Sequence, residues 1–566
     1  MKPTKRELEK EFLANERFAK KRLTASIDEI DLKMAEKAII KNYTAILDLQ
    51  SQIDRKLELP FRKKSTMFRL IVICFGAILE LNFEQLGALF SLDRNPELNR
   101  FLSKFTDIPS ISEEELCKTK KELSCFWEAI KALAYIIKED YHLFYQAYND
   151  LEFIELLKMK PKNRPYGAAR LLKGINITRW FKSEIIPEKE PYPKSLLLRA
   201  LFYNTLIMPK SSTAGLAKLL GERVFNVQET YVDIGYSLGF YFEIPSKKTL
   251  YRFVKSLTQE WVYQMMKDNT AELIRIGCAD ISMLLVDSSE IFGRKDDLDL
   301  PATNRARATH KMTYRIQLIC DPNQIPLIAV ARLGTEIDQV GFLSVKEGLL
   351  YIKKIAEQNQ RKIEFVIYDA GYFNLENLKL VQEVLGAKPI FNINPRRDKH
   401  LKALKGLLEK YRKKYYEKLH NASLSITDQT QILQEVKSLI FERIEEMCWD
   451  LVQMESEQHK LIGQYILSVG VENFFELYAR RNVIEGLIGV DKSKYLDLTG
   501  KKNKILILGQ ENVAVRVLLT LIGLQFKALT NYRILKRQNG VMKDLYWINC
   551  SELLLNYENI PYQEND

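Results

Sequence analysis

Cysteine is scarce in this chain and histidine scarcer, with seven and five in 566 residues. The cysteines (Cys74, Cys117, Cys125, Cys278, Cys320, Cys448 and Cys550) are scattered and odd in number, and no CxxC occurs. None stands at metal-site spacing from a histidine, which argues against a disulfide framework and against a structural zinc site. The first residues, MKPTKRELEKEFLANERFAKKRL, carry both charges and no apolar core, so no secretory signal is expected. Long apolar runs are missing as well. Leu70 to Leu79 falls short of the roughly 20 residues that a membrane helix requires. Val513 to Leu529 is interrupted by Arg516 and Lys527, so both stretches read as buried helices and no membrane association is expected. No GxxxxGK[ST] loop appears, so no use of ATP is expected.

What is present is a basic, ordinarily apolar chain long enough for several domains. The apolar fraction is 46% and the charged fraction 28%, values of a globular protein. Lys and Arg outnumber Asp and Glu by 85 to 73, for a formal charge of +12. A surplus of this sign favours a polyanionic partner through counterion release.

Residues 1 to 157 read as helical, with Ile27, Ile30, Leu32, Met34 and Ile39 at helical spacing. A polar link, KMKPKNRPYG, opens a second helical region over 158–278. Each region places a Leu/Ala-rich segment before an Ile-Pro-Ser helix start, where Ser110 or Ser246 is positioned to cap the next helix. A duplicated helix-turn-helix-like unit accounts for this, and so does convergent capping. From 279 the texture changes. ISMLLVDSSEIFG, MTYRIQLICDPNQIPLIAVARLG and KIEFVIYDAGYF are β-like, with DPNQ as a hairpin turn. Helices over Phe342 to Gln358 and Asn374 to Leu385 and the strand KPIFNIN complete a mixed α/β sheet. A helical stretch follows at about 396–465, then the short strand QYILSVG, a last helix-rich segment to 535 and a tail over 536–566.

Asp287 closes the apolar run MLLVD, and Asp369 closes EFVIYD. A carboxylate at a buried strand end is costly unless it is paired, hydrogen-bonded or bound to a cation. A divalent cation between two such acids removes their repulsion, and Mg²⁺ prefers these oxygen ligands. The plainer alternative is that each Asp opens a turn. Tyr478, Arg481, Glu485 and Lys492 follow at offsets that a continuous helix would gather on one stripe, with Phe475, Val483 and Leu487 facing the core. A solvated charged face is the alternative there. An acid framed by Arg, Lys and a phenol suits a metal ligand beside phosphates.

With these residues in view, the chain resembles the DDE transposases of bacterial and archaeal insertion sequences, which have an RNase H-like catalytic core. The resemblance lies in Tyr-x2-Arg-x3-Glu-x6-Lys, met by Tyr478, Arg481, Glu485 and Lys492, and in VDSSE around Asp287 and YDAGYF around Asp369. It covers about 280 to 535 well, and the second helical region loosely through LLLRALFYNTLI and IPSKKTLYRFVKSL. The better-known insertions of that group are β-rich, whereas the one here reads as helical.

The resemblance implies an RNase H-like mixed-sheet catalytic core over 279–535, of α+β or α/β class. It implies an insertion before the last acid, at 396–465, which here reads as helical. The helical N-terminal region 1–157 has no clear counterpart in that group, and DNA binding is a separate expectation for it. It implies that Asp287, Asp369 and Glu485 hold two Mg²⁺ or Mn²⁺ ions per active site. These would cleave phosphodiesters at the element ends and join them to target DNA. Tyr478, Arg481 and Lys492 are then DNA contacts, with Tyr372 as a further candidate. The implied partners are the terminal inverted repeats and target DNA, bound by a homodimer on paired ends, in the cytoplasm at the nucleoid. His310, beside Lys311, is an ordinary loop histidine in this reading. Two alternatives stand: an RNase H-like nuclease without strand transfer, and a catalytically silent, domesticated DNA-binding protein.

Overall fold

The structure, a computed structural model, describes residues 27–57, 63–91, 111–157, 164–188, 192–207, 213–225, 231–294, 297–300, 313–333, 345–393, 398–411, 426–490, 496 and 507–539. The chain divides into two compact units, Met1–Ser256 and Leu257–Asp566. The sequence pattern places boundaries at 157/158 and 278/279.

Within the first unit, contacts join helices on either side of 157/158. Helices α1 (Glu29–Lys41), α2 (Lys63–Leu79), α3 (Trp127–Leu157), α4 (Arg164–Lys173) and α5 (Lys194–Ile207) are the main helices of the first unit. Both α1 and α2 pack on α3, which also packs on α4. Two buried carboxylates then tie the expected regions together. Asp31 accepts from Lys173 Nζ, Tyr241 OH and, at 3.0 Å, Tyr141 OH. Glu80 accepts from Ser195 Oγ at 2.7 Å, Arg199 Nη1 at 2.9 Å, Lys138 Nζ at 3.0 Å and Thr178 Oγ1 at 3.1 Å. Glu80 follows α2 with a φ of 60°, a left-handed conformation that costs a non-glycine residue roughly 1–2 kcal/mol. Four buried donors converging on one carboxylate offset that strain.

The two Ile-Pro-Ser starts differ in detail. Ser110 lies outside the described residues. Helix Glu113–Glu122 begins instead at Ser112, which forms a capping box with Glu115. Ser246 does cap its helix, accepting from the Thr249 N–H at 3.2 Å. An antiparallel ribbon (Arg223–Phe225 with Tyr231–Asp233) and a short helix (Ile234–Leu238) separate Thr213–Leu220 from Lys247–Ser256. That is longer than a tight helix-turn-helix.

The second unit is built on a five-stranded mixed sheet. Its strands are β1 (Met283–Phe292), β2 (Thr313–Cys320), β3 (Pro326–Leu333), β4 (Phe365–Tyr368) and β5 (Lys388–Phe391). They lie in the order β3-β2-β1-β4-β5, with β1, β2 and β3 antiparallel and β1, β4 and β5 parallel. This is the mixed sheet that the strand pattern indicated, in the RNase H-like arrangement that the resemblance implied. The β2–β3 turn is Asp321–Gln324, as DPNQ indicated. The Asp321 carboxylate accepts from the N–H groups of Ile325 and Asn323 at 2.8 and 2.9 Å.

Helix α6 (Gln259–Ile276) packs on β3 and on α7 (Lys346–Gln358), which is why the unit starts before 279. Of the later helices, α8 is Val471–Ala479, α9 is Asn482–Val490 and α10 is Gln510–Asn539. The last of these is also core: Gln525 Nε2 donates to the Pro326 carbonyl at 3.0 Å and to Thr270 Oγ1 at 2.9 Å. Its stretch Gln510–Thr530 is long and apolar enough to cross a membrane, and 83% of it is buried within the structure.

Between β5 and α8 the insertion is helical, as expected. Its described helices include Lys399–Tyr411, Ile426–Val436, Glu442–Gln453 and Glu457–Val469. QYILSVG was expected as a strand, but it falls almost wholly inside Glu457–Val469. Ile462, Tyr465 and Ile466 recur there at helical spacing and are buried. Gly463 permits the close approach to Glu442–Gln453, since a Cβ there would stand 2.4 Å from the Cys448 carbonyl oxygen.

Candidate active site

The parallel pairing of β1 with β4 runs from Met283↔Phe365 to Val286↔Tyr368. One residue further along each strand come Asp287 and Asp369, so the sheet sets these two acids side by side. Asp287 does not end its strand, although the apolar run MLLVD stops there. β1 continues to Phe292 against β2, with Asp287 opposite Leu318. Only its pairing with β4 stops there, which opens one flank of Asp287. Asp369 leaves β4 into a single turn, where the Tyr372 N–H donates to the Asp369 carbonyl at 3.0 Å.

The third acid arrives from the helices. Instead of one continuous helix, α8 ends at Ala479 and α9 begins at Asn482, with Arg480 and Arg481 in the turn between them. Short i to i−3 bonds, such as Arg481 N–H to the Tyr478 carbonyl at 3.0 Å, tighten this turn. Ile484 and Leu487 bury one side of α9, which packs on β1, while Val483 is only half-buried. Phe475 is buried, as expected.

This packing brings Arg481 into contact with all three acids. Its Nη2 lies 2.7 Å from Glu485 Oε1 and 3.4 Å from Asp287 Oδ2, and its Nη1 lies 3.4 Å from Asp369 Oδ1. Tyr478 OH stands 3.5 Å from both Asp369 Oδ1 and Arg481 Nη1, at the edge of the group.

Burial differs across the group. The Asp287 side chain is 10% exposed, Asp369 35% and Glu485 49%. Burial pushes the Asp287 carboxyl up to about 6. The Arg481 charge and the Ser288 N–H, at 2.7 Å, act the other way, and Asp369 and Glu485 add to the rise. Arg481 is held above its ordinary value. Burial opposes its charge, but Asp287, Tyr478, Asp369 and Glu485 outweigh that penalty.

Carboxylate oxygens are the donor type that a hard divalent cation takes, and one of these three acids is reluctant to ionise. Such a cation would relieve the repulsion that the sheet imposes on Asp287 and Asp369. Among the described residues, however, no group of three His, Cys, Asp or Glu side chains is gathered closely enough to hold a metal ion. In this structure the positive charge among the acids is the guanidinium.

Two expected site residues are placed elsewhere. Lys492 lies outside the described residues, as does His310. Tyr372 is buried, and its hydroxyl donates to Gln317 Oε1. A hydroxyl committed inside the sheet does not face a nucleic acid, so Tyr372 is a structural residue here. Its aromatic and turn character looks the same in sequence whichever way the ring points.

Comparison with known proteins adds little to this geometry. No protein family matches the sequence, and no curated protein does. Among solved structures, the chain is similar to a piggyBac transposase in a synaptic complex with hairpin DNA. The identity is 12%, over 71% of this chain and 86% of that one, with a TM-score of 0.22. A likeness of that size carries no argument. The fold assignment stands on strand order and direction, and the site on its own distances.

Proposed function

We propose that the chain is a DNA transposase that cuts and joins phosphodiesters at a centre formed by Asp287, Asp369 and Glu485. The observation that supports this most is that three acids, distant in sequence, all contact one guanidinium on an RNase H-like sheet. A purely structural ion pair needs one carboxylate per arginine. A trio on one arginine, at the open flank of a sheet, has the composition of a cation site beside phosphates.

In this reading Asp287, Asp369 and Glu485 hold Mg²⁺ or Mn²⁺, two ions per site. Bound divalent ions would supply Lewis-acid stabilisation of charge on the phosphoryl oxygens and a water of lowered pKa. The protein supplies the rest. Asp287 and Asp369 are fixed by adjacent strands, so their separation is set by the sheet rather than by flexible loops. Glu485 is the most exposed of the three and is carried on a helix that packs on β1. Arg481 is permanently charged and fork-shaped, and it grips a phosphate beside the scissile bond once the acids are neutralised otherwise. Tyr478 bonds the same phosphate or stacks on a displaced base. Lys492 holds a further phosphate. Two protomers act on paired element ends, each contributing one centre.

The test is a cleavage assay. Purified protein is incubated with Mg²⁺ or Mn²⁺ and DNA carrying its element's ends, beside Asp369→Asn and Glu485→Gln. Metal-dependent cleavage at the end boundary, lost in both variants while DNA binding persists, is the expected result. Cleavage without dependence on the ends would favour a nuclease of the same fold. Binding with no cleavage by the wild type would favour a catalytically silent DNA-binding protein.

A further inference from the structure

Helix Lys247–Ser256, in the first unit, has two sharply different faces. Leu250 and Phe253 are buried, whereas Lys247, Lys248, Tyr251, Arg252 and Lys255 are exposed. At roughly 100° per residue, those five exposed side chains fall within an arc of about 140°. The helix holds no acidic residue. Among the described residues, none of its four cations is paired with a carboxylate. Lys255 instead lies over the Tyr251 ring, 5.6 Å from its centroid.

The placement of the lysines is unfavourable for the isolated protein. Lys247 and Lys248 occupy the first turn, where the helix dipole is positive and Asp or Glu is the stabilising choice. Two cations there are compatible with an anion arriving from outside, because the free N–H groups of the first turn attract the same ligand. Ser246 satisfies one of those donors by accepting from the Thr249 N–H.

We propose that this face docks on duplex DNA. Lys247 to Lys255 spans about 12 Å of helix axis, at roughly 1.5 Å per residue. That length is close to the width of a major groove, about 12 Å. The two lysines at one end and Arg252 and Lys255 at the other reach the phosphate rows on either side of the groove. Tyr251 lies between them, half-exposed, on the side facing the base edges. A membrane surface fits less well, since an interfacial helix exposes several bulky apolar residues and this face offers only the tyrosine. The inference does not rest on the three-acid reading, because it concerns binding by a different unit.

The test uses the full chain and a short random-sequence duplex, followed by fluorescence anisotropy over a range of salt concentrations. Lys248→Gln/Arg252→Gln is expected to weaken binding about tenfold at low salt and to reduce the slope of log K against log salt by about 2. The control pair Lys33→Gln/Lys37→Gln removes the same charge from exposed positions on α1 and is expected to bind as the wild type. Both pairs are on the surface, and matching far-ultraviolet circular dichroism checks that they fold. Binding is read in EDTA, where no metal-dependent cleavage occurs, which separates this inference from the proposed chemistry. An unchanged salt slope in the first pair overturns the proposal, as does an equal loss in the control pair. Loss of binding to phosphatidylserine vesicles with duplex binding intact overturns it as well.

Discussion

Nη2 of Arg481 lies 3.4 Å from Oδ2 of Asp287, joining a turn between two late helices to the central strand 194 residues earlier. The contact matters because Asp287 is the most buried of the three acids. Its charge is sustained by this one guanidinium and by the Ser288 N–H.

Removing the guanidinium should therefore raise the Asp287 carboxyl further, beyond about 6. An opposite charge within a few ångströms lowers a carboxyl pKa by about 1–3 units, and Arg481→Ala forfeits that. Isotope-edited infrared titration of labelled aspartate, with Asp287→Asn to assign the band, reads the shift. A band that titrates as in the wild type would show that Arg481 does not neutralise Asp287 in solution.

Asp321, in the β2–β3 turn, makes a pH-dependent contribution of definite sign. Burial pushes its carboxyl up to about 7, against the N–H groups of Ile325, Asp280 and Asn323. An unfolded chain gives up this proton near 3.8, whereas the folded one keeps it to about 7. Between those values the native state binds more protons, so the group's contribution falls as pH rises from about 4 to 7. Asp321→Asn should flatten that slope. It should also cost about 1–3 kcal/mol at low pH, because one of the accepting oxygens becomes an amide nitrogen. Chemical denaturation of both proteins at pH 5 and pH 7 checks this, and equal slopes would contradict it.

Glu80 has the opposite sign. Burial would raise its carboxyl, but Arg199, Lys138 and Ser195 outweigh burial and hold it well below the usual range. Its stabilising contribution is present above about 4.5 and is lost as pH falls toward the folded value. Glu80→Gln leaves Lys138 and Arg199 buried without their counter-charge. That should destabilise the first unit by about 3–5 kcal/mol at neutral pH, read as a lower denaturation midpoint. A midpoint within experimental error of the wild type would show that water reaches those cations.

The placement of Asp287 and Asp369 side by side on neighbouring strands was legible because each follows an apolar β-branched run. The hairpin at Asp321–Gln324 and the helical insertion were legible from turn chemistry and periodicity. The break at Arg480–Arg481 was not. Nothing in FFELYARRNVIEG marks a helix end, and the turn exists because α9 must reorient to lay Ile484 and Leu487 on β1. The expected strand QYILSVG failed for a related reason. A short apolar run has no period of its own, and the neighbouring helix decided it. The joining of 1–157 to the helices beyond it was illegible, since Asp31–Lys173 and Glu80–Arg199 are long-range pairs between residues that look like ordinary surface charges. Arg481 was expected to face phosphate. Its place among the acids depends on the helix break that the sequence conceals.

The central claim is that Asp287, Asp369 and Glu485 act as one cation-holding centre. It is tested most directly by titrating Mn²⁺ into the DNA-free protein and following free ion by electron paramagnetic resonance. The account predicts saturable binding that weakens by at least about tenfold in each of Asp287→Asn, Asp369→Asn and Glu485→Gln, since losing a ligand costs no less than losing an outer-shell partner, about 10–100-fold. Binding that survives all three substitutions would place the metal elsewhere and contradict the account.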